Sequence, residues 1–91
     1  MPTKIQYLEM LNARLMLWNA ELDELQARAG DRADLKKVVA ELCRLRDDAA
    51  ERTQMIERAG EPDWELLAAN VDKEFAALGD AFGHARARFG E

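Results

Sequence analysis

The sequence predicts an all-α protein, an antiparallel helical bundle or coiled coil of three helices in one domain over residues 1–91. Apolar residues recur at helical spacing in three segments of nearly equal length, and these segments are separated at Gly30 and Gly60. The composition agrees, because 34% of the residues are charged and serine is absent, as is typical of long amphipathic helices. We expect helices at about 3–29, 32–59 and 62–89.

The first predicted helix begins with a capping box. Thr3 and Gln6 have the spacing at which each side chain bonds to the other residue's backbone N–H. Downstream, large apolar side chains occupy both core positions of successive heptads, namely Leu8, Leu11, Leu15, Trp18, Leu22 and Leu25. A row this regular needs a partner helix, so these residues are the predicted interaction surface.

The second predicted helix follows Gly30, a residue type that commonly ends helices, and Asp31 is its candidate N-cap. Its apolar residues form two heptad columns, which are Leu35, Leu42, Ala49 and Ile56 in one and Val38, Leu45 and Ala59 in the other. These columns are out of phase with the first helix, which favours a turn at Gly30. Gly60 in the left-handed conformation is the predicted end of this helix.

The third predicted helix carries Pro62 in its first turn, where a missing N–H costs nothing. Acidic residues there face the positive end of the helix dipole. A broad apolar stripe follows, made of Trp64, Leu67, Val71, Phe75, Leu78, Phe82, Ala85 and Phe89. We expect Trp18 and Trp64 to anchor the core by packing against each other's helices near one end of the bundle.

A second architecture satisfies the same pattern. The first two helices could be continuous, forming a long helical hairpin with the third helix folded back on its second half. The apolar row of the first helix would then have no partner in the chain, and two chains would dimerise into a four-helix bundle. Sequence reasoning leaves both architectures open.

The charge and the cysteine content limit the binding partners and the cellular compartment that we expect. The net charge of -5, with its acidic excess in the last third of the chain, argues against nucleic acid, which requires a clustered basic face. The single cysteine cannot form an intrachain disulfide, so a reducing compartment, the cytoplasm, is expected. We expect neither a standard secretion signal nor a membrane span, because no apolar stretch is long enough.

No catalytic, cofactor-binding or metal-binding constellation is expected. Asp80 and His84 lie one helical turn apart, but two ligands do not make a metal site. Cys43 lies beside the apolar columns of the second helix, where a lone thiol behaves as a small hydrophobe. The absence of serine excludes a Ser-His-Asp triad. We therefore expect a protein that is not an enzyme and has no cofactor.

The residues resemble a family of small bacterial coiled-coil proteins across nearly the whole chain. The resemblance is carried by Tyr7-Leu8-Glu9, Trp18-Asn19-Ala20-Glu21-Leu22, Glu41-Leu42, Arg46-Asp47, Ala59-Gly60, Trp64, Ala81-Phe82 and Arg88-Phe89. Members are mostly uncharacterised and are often labelled coiled-coil or stress-response proteins. The resemblance implies a helical accessory protein and names no ligand. The chain departs from the family at Gly30, Pro62 and Phe75. Family members usually run through the segment around Gly30 as one uninterrupted charged helix, so the resemblance favours the continuous-helix dimer, whereas Gly30 itself favours a turn.

Two functions follow from these observations. The first is a coiled-coil interaction module that acts by self-association, as a dimer, or by binding an unidentified helical protein. Any stress-related role follows from the resemblance alone. The alternative is reversible binding to a membrane surface through an amphipathic C-terminal helix that carries Phe75, Phe82, Phe89, Arg86 and Arg88. The acidic residues of that helix disfavour an anionic bilayer.

Overall fold

The computed structural model describes residues 3–90, which form one bundle of three helices, each antiparallel to the next along the chain. Their bounds are α1 Lys4–Ala29, α2 Ala33–Arg58 and α3 Asp63–Phe89, within a few residues of the predicted ones. The all-α three-helix prediction is confirmed. The continuous-helix alternative is wrong, because the bundle is 47 Å in its longest dimension whereas one helix over residues 4–58 would be about 80 Å long.

The turn between α1 and α2 depends on Gly30. Its φ of 53° and ψ of -123° are those of the first central residue of a type II′ turn, which favours glycine. The Arg32 N–H closes the turn by donating to the Ala29 carbonyl at 3.0 Å. The predicted cap at Asp31 is wrong, because this turn places Arg32 at the N-cap, where it makes no side-chain capping bond.

The connection between α2 and α3 also differs from the prediction. The second helix ends at Arg58, and Ala59 leaves it in an extended conformation. Gly60 is not left-handed, since Gly30 is the only residue with positive φ among residues 3–90. Pro62 is the N-cap of α3 and not part of its first turn. The Lys4 ammonium donates to the Ala59 carbonyl at 2.6 Å, so α1 supplies the group that satisfies the end of α2.

The predicted capping box is present at the start of α1. The Gln6 N–H donates to Thr3 Oγ1 at 3.2 Å, and the Thr3 N–H donates to Gln6 Oε1 at 3.0 Å. These reciprocal bonds satisfy two backbone donors that have no partner within a helix. They fix the first turn of α1 at the end of the bundle where α3 also begins.

Aromatic side chains fill the space between α1 and α3. Trp18 stacks on Phe82 with ring centroids 5.6 Å apart and packs against Phe75 at 5.4 Å. Near the start of both helices, the Trp64 ring lies 5.7 Å from that of Tyr7. Each tryptophan thus packs against the other's helix, as predicted. The predicted position of both near one end of the bundle is wrong, because Trp18 packs between Phe75 and Phe82 and only Trp64 lies where α1 and α3 begin. Tyr7, which the heptad pattern did not select, is a core residue.

Candidate functional site

The interaction surface predicted on the first helix is the core of the bundle. Leu11, Leu15, Leu22 and Leu25 are buried, and Leu8 and Trp18 are half-buried against them. Both α2 and α3 cover this row, because the chain folds back on itself and supplies the partner helices internally. The six leucine and tryptophan side chains are therefore not available to a second protein in this fold, and that prediction is corrected.

The aromatic residues of the alternative membrane surface are not exposed either, although Arg86 and Arg88 are. Phe75 and Phe82 are the largest fully buried side chains of the core. Phe89 is half-buried, and the Arg28 guanidinium lies over its ring, 5.8 Å from the centroid. Arg86 forms a salt bridge with Glu21 of α1. Because α1 covers the aromatic stripe of α3, a lipid surface cannot reach it without opening the bundle.

An open apolar groove runs between α2 and α3 near the Gly30 turn. Its volume is about 690 Å³. Its floor combines the half-buried side chains of Val38, Leu45 and Ala81 with the buried ones of Leu42 and Ala85. We refer to the depression lined by these five residues as the α2/α3 groove.

The α2/α3 groove lies on the flank of α2 that does not face α1. On the other flank, Arg46 donates to Asn19, and the Gln26 amide lies 3.9 Å from the Cys43 sulfur. Val38 and Leu45 are seven residues apart and so share one line along the helix. The heptad pattern predicted Val38, Leu45 and Ala59 as core residues. In the structure only the other column, which begins at Leu35, is fully buried, because no fourth helix lies over the Val38 column.

Charged side chains of both signs line the rim of the groove. The α2 rim carries Asp34, Lys37 and Glu41, and the α3 rim carries His84 and Arg88. The side-chain hydrogen bond from Arg44, together with its charge, holds the pKa of Glu41 below its usual range. Glu41 is therefore ionised near neutral pH. An approaching ligand meets two carboxylates and one ammonium on the α2 rim and a guanidinium on the α3 rim.

A salt bridge closes the groove toward the middle of the bundle. Arg52 of α2 reaches Glu74 of α3, with 2.8 Å between Nε and Oε2. Beyond it lies a small depression between the two helices, lined in part by Met55, Leu67 and Asn70. The apolar floor thus extends from Val38 to Leu45, two turns of α2, or about 10 Å along the helix axis.

A second apolar surface covers the outward face of α1. Ile5, Met10, Met16 and Leu17 are large apolar side chains that remain mostly exposed. Sequence reasoning did not select them, because the heptad search followed the buried row on the opposite side of the helix. The signal that could have found them is the scarcity of charge between residues 10 and 20, where Arg14 is the only charged residue.

The chain's other chemically active side chains do not form a site with these surfaces. Cys43 is half-buried beside α1, and His84 is exposed at the groove rim. Among residues 3–90, no group of three or more His, Cys, Asp and Glu side chains is arranged to hold a metal ion. The geometry offers apolar contact area with charged edges, which suits binding.

Comparisons with protein-family models, with curated proteins and with solved structures give no match to this chain. Within residues 3–90, no helix is both long and apolar enough to cross a bilayer.

Proposed function

We propose that this protein is a non-enzymatic interaction module that binds an amphipathic helix of a partner protein in the α2/α3 groove. The observation that carries the proposal is the half-covered apolar floor formed by Val38, Leu45 and Ala81. The neighbouring helices α2 and α3 leave an apolar line uncovered between them. In a four-helix bundle, a fourth helix covers such a line. Burial of that line on binding supplies the driving force.

The shape and charge of the groove define the partner. A floor of about two helical turns accommodates apolar anchors at positions i, i+3, i+4 and i+7 of the incoming helix. The α3 rim carries Arg88, and the α2 rim carries Asp34 and Glu41 together with Lys37, so its side chains sum to one negative charge. A matching helix therefore has acidic residues on the flank that faces α3 and at least one basic residue on the flank that faces α2, which fixes its orientation.

We also propose a cellular compartment, a bacterial origin and a role for the protein. A single cysteine and a fold without disulfides support the cytoplasm as the compartment. A bacterial origin and a role in stress are supported by the resemblance to small coiled-coil proteins alone. A non-enzymatic role is supported by a groove whose floor is aliphatic and whose polar groups lie at its rim.

A fluorescent peptide of about 18 residues, with leucines at the anchor positions and the flanking charges described above, tests the proposal. We expect saturable binding by fluorescence anisotropy and NMR shift changes at the methyl groups of Val38, Leu45 and Ala81. Ala81→Arg places a long cation on the groove floor and should weaken binding at least about tenfold. Ala69→Arg, an exposed alanine on another face of α3, should leave binding unchanged.

Circular dichroism of both variants verifies that the helices are intact. Absence of peptide binding to the wild type, or equal binding by wild type and Ala81→Arg, would contradict the proposed function. Binding of small apolar ligands without binding of the peptide would also contradict it and would assign the groove to a small molecule. A peptide that carries a photo-crosslinker and labels α1 instead of α2 or α3 would place the contact elsewhere.

A further inference from the structure

The third helix carries two glycines in its interior that the packing does not require. Gly79 and Gly83 both lie within α3, Asp63–Phe89, and neither has a positive φ. A Cβ added at Gly79 would lie 4.0 Å from Trp18 Cζ2, and one added at Gly83 would lie 3.7 Å from Arg86 Nη2. Both distances are ordinary van der Waals contacts, so alanine would fit at either position.

These glycines weaken the helix around them. A glycine inside a helix lowers the equilibrium constant for helix formation about four- to fivefold relative to alanine, because the unfolded backbone has more freedom to lose. Two glycines one turn apart therefore favour opening of the surrounding backbone by about twentyfold. The helices α1 and α2 contain no glycine between their first and last residues, so this weakness is a property of α3.

The burial that holds α3 in place also changes at Gly83. Before this residue, large buried side chains anchor the helix, namely Trp64, Val71, Phe75, Leu78 and Phe82. Among residues 84–90, the only buried side chain is the methyl group of Ala85, and Phe89 is half-buried. A methyl group adds little apolar area to the core. We refer to residues 83–89, which are held more weakly than the rest of α3, as the α3 arm.

Two contacts with α1 hold the outer side of the α3 arm. Arg86 forms a salt bridge with Glu21, and the Arg86 side chain is 55% exposed. An ion pair so exposed to water adds little to stability. The Arg28 guanidinium lies 5.8 Å from the centre of the Phe89 ring. Phe89 is therefore the main attachment of the arm, because its ring combines partial burial with the contact to this cation.

The α3 arm also forms part of one wall of the α2/α3 groove. His84, Ala85 and Arg88 line the groove, and all three lie on the arm. When the arm unwinds, the groove loses these side chains, including the whole of its cationic rim on α3. The local stability of the arm thus determines how often the groove has its complete α3 wall.

We propose that the α3 arm is a hinged wall of the groove, which unwinds at Gly83 and rewinds as one unit while the rest of the bundle stays folded. Partial unfolding of this kind requires less free energy than global unfolding where few buried contacts cross the boundary. Gly83 is the hinge, and the Phe89 ring is the latch. The proposal concerns the free protein and needs no partner, so it can fail independently of the proposed function.

Native-state hydrogen exchange, followed for each amide by NMR, measures the opening constant, which is the ratio of open to closed populations. We expect the amides of residues 86–89 to share one opening constant, at least about tenfold larger than that of amides at the centre of α2. Gly83→Ala should lower the opening constant of the arm about four- to fivefold. Phe89→Ala should raise it about tenfold or more, because the latch is lost.

Ala69→Gly is the matched control, because Ala69 is exposed and lies in the first half of α3, outside the arm. It should raise the opening constant at the centre of α2 about four- to fivefold and leave that of the arm unchanged, since the arm opens without unfolding the rest. An equal rise in both places would refute the proposal, as would one opening constant for the whole protein. Opening constants that increase gradually from Leu78 to Phe89 would indicate ordinary fraying of a helix end and would also overturn it, as would an arm that is unaffected by Phe89→Ala.

Discussion

Tyr7 provides a direct test of the packing between α1 and α3. Its side chain is 5% exposed, and its hydroxyl donates to Asp72 Oδ1 at 2.6 Å. Burial raises the pKa of the Tyr7 phenol, and the hydrogen bond to Asp72 and the negative charge of Asp72 raise it further. Tyr7 is the only tyrosine in the chain, so its ionisation can be followed by absorbance without a competing signal.

The raised pKa makes stability depend on pH in the alkaline range. In the unfolded chain the phenol ionises near pH 10, whereas in the folded chain it holds its proton to higher pH. The contribution of Tyr7 is therefore complete below about pH 10 and is lost as the pH rises above it, approaching about 1.4 kcal/mol for each pH unit. Lysines also titrate there, so the effect is measured as a difference from Tyr7→Phe.

Tyr7→Phe keeps the ring against Trp64 and removes only the hydroxyl. Asp72 is exposed and can be hydrated after the change, so we expect a loss of about 1–2 kcal/mol at neutral pH. Urea unfolding of both proteins at neutral pH and near pH 11 should show the difference shrinking as the pH rises. Phenolate absorbance that appears near pH 10 while the helices remain intact would refute the reasoning, because a buried and bonded hydroxyl cannot ionise so readily.

The turn and the core make two further predictions. Gly30→Ala should destabilise the protein by about 1–3 kcal/mol, since the left-handed φ of Gly30 is strained for other residues. Gly60→Ala should be neutral or slightly stabilising, because the φ of Gly60 is not positive and an added Cβ meets no atom within 4 Å. Thermal melts compare the two, and equal losses would contradict the proposed turn. Phe82→Ala should cost about 3–5 kcal/mol in urea unfolding, because Phe82 is fully buried and stacks on Trp18. The exposed control Leu17→Ala should change stability by less than about 0.5 kcal/mol, and similar midpoints for both variants would show that Phe82 is not in the core.

The sequence by itself determined that the chain is helical, most of the helix bounds and most of the buried residues, but it left open whether the first two helices are continuous. Local rules suffice for these features. A capping box at Thr3 and Gln6 starts a helix wherever it occurs, and apolar residues at helical spacing require burial in any bundle. Gly30 was the candidate break between the first two helices, but the sequence did not decide between a turn and a continuous helix there, and it did not predict the turn type. The apolar residues of α3 were predicted to form one continuous row, and the other two helices cover that row.

The tertiary structure alone decided which apolar rows are covered and which remain open. Leu11 and Leu45 have the same heptad signature, yet α2 and α3 cover the first while the second lines a groove. The reason is geometric: three helices enclose one shared core, and an apolar column that points away from it stays exposed unless another chain covers it. Likewise, Met16 and Leu17 are exposed only because the opposite face of α1 packs against α2 and α3. Periodicity specifies which face of a helix is apolar, but not what packs against that face.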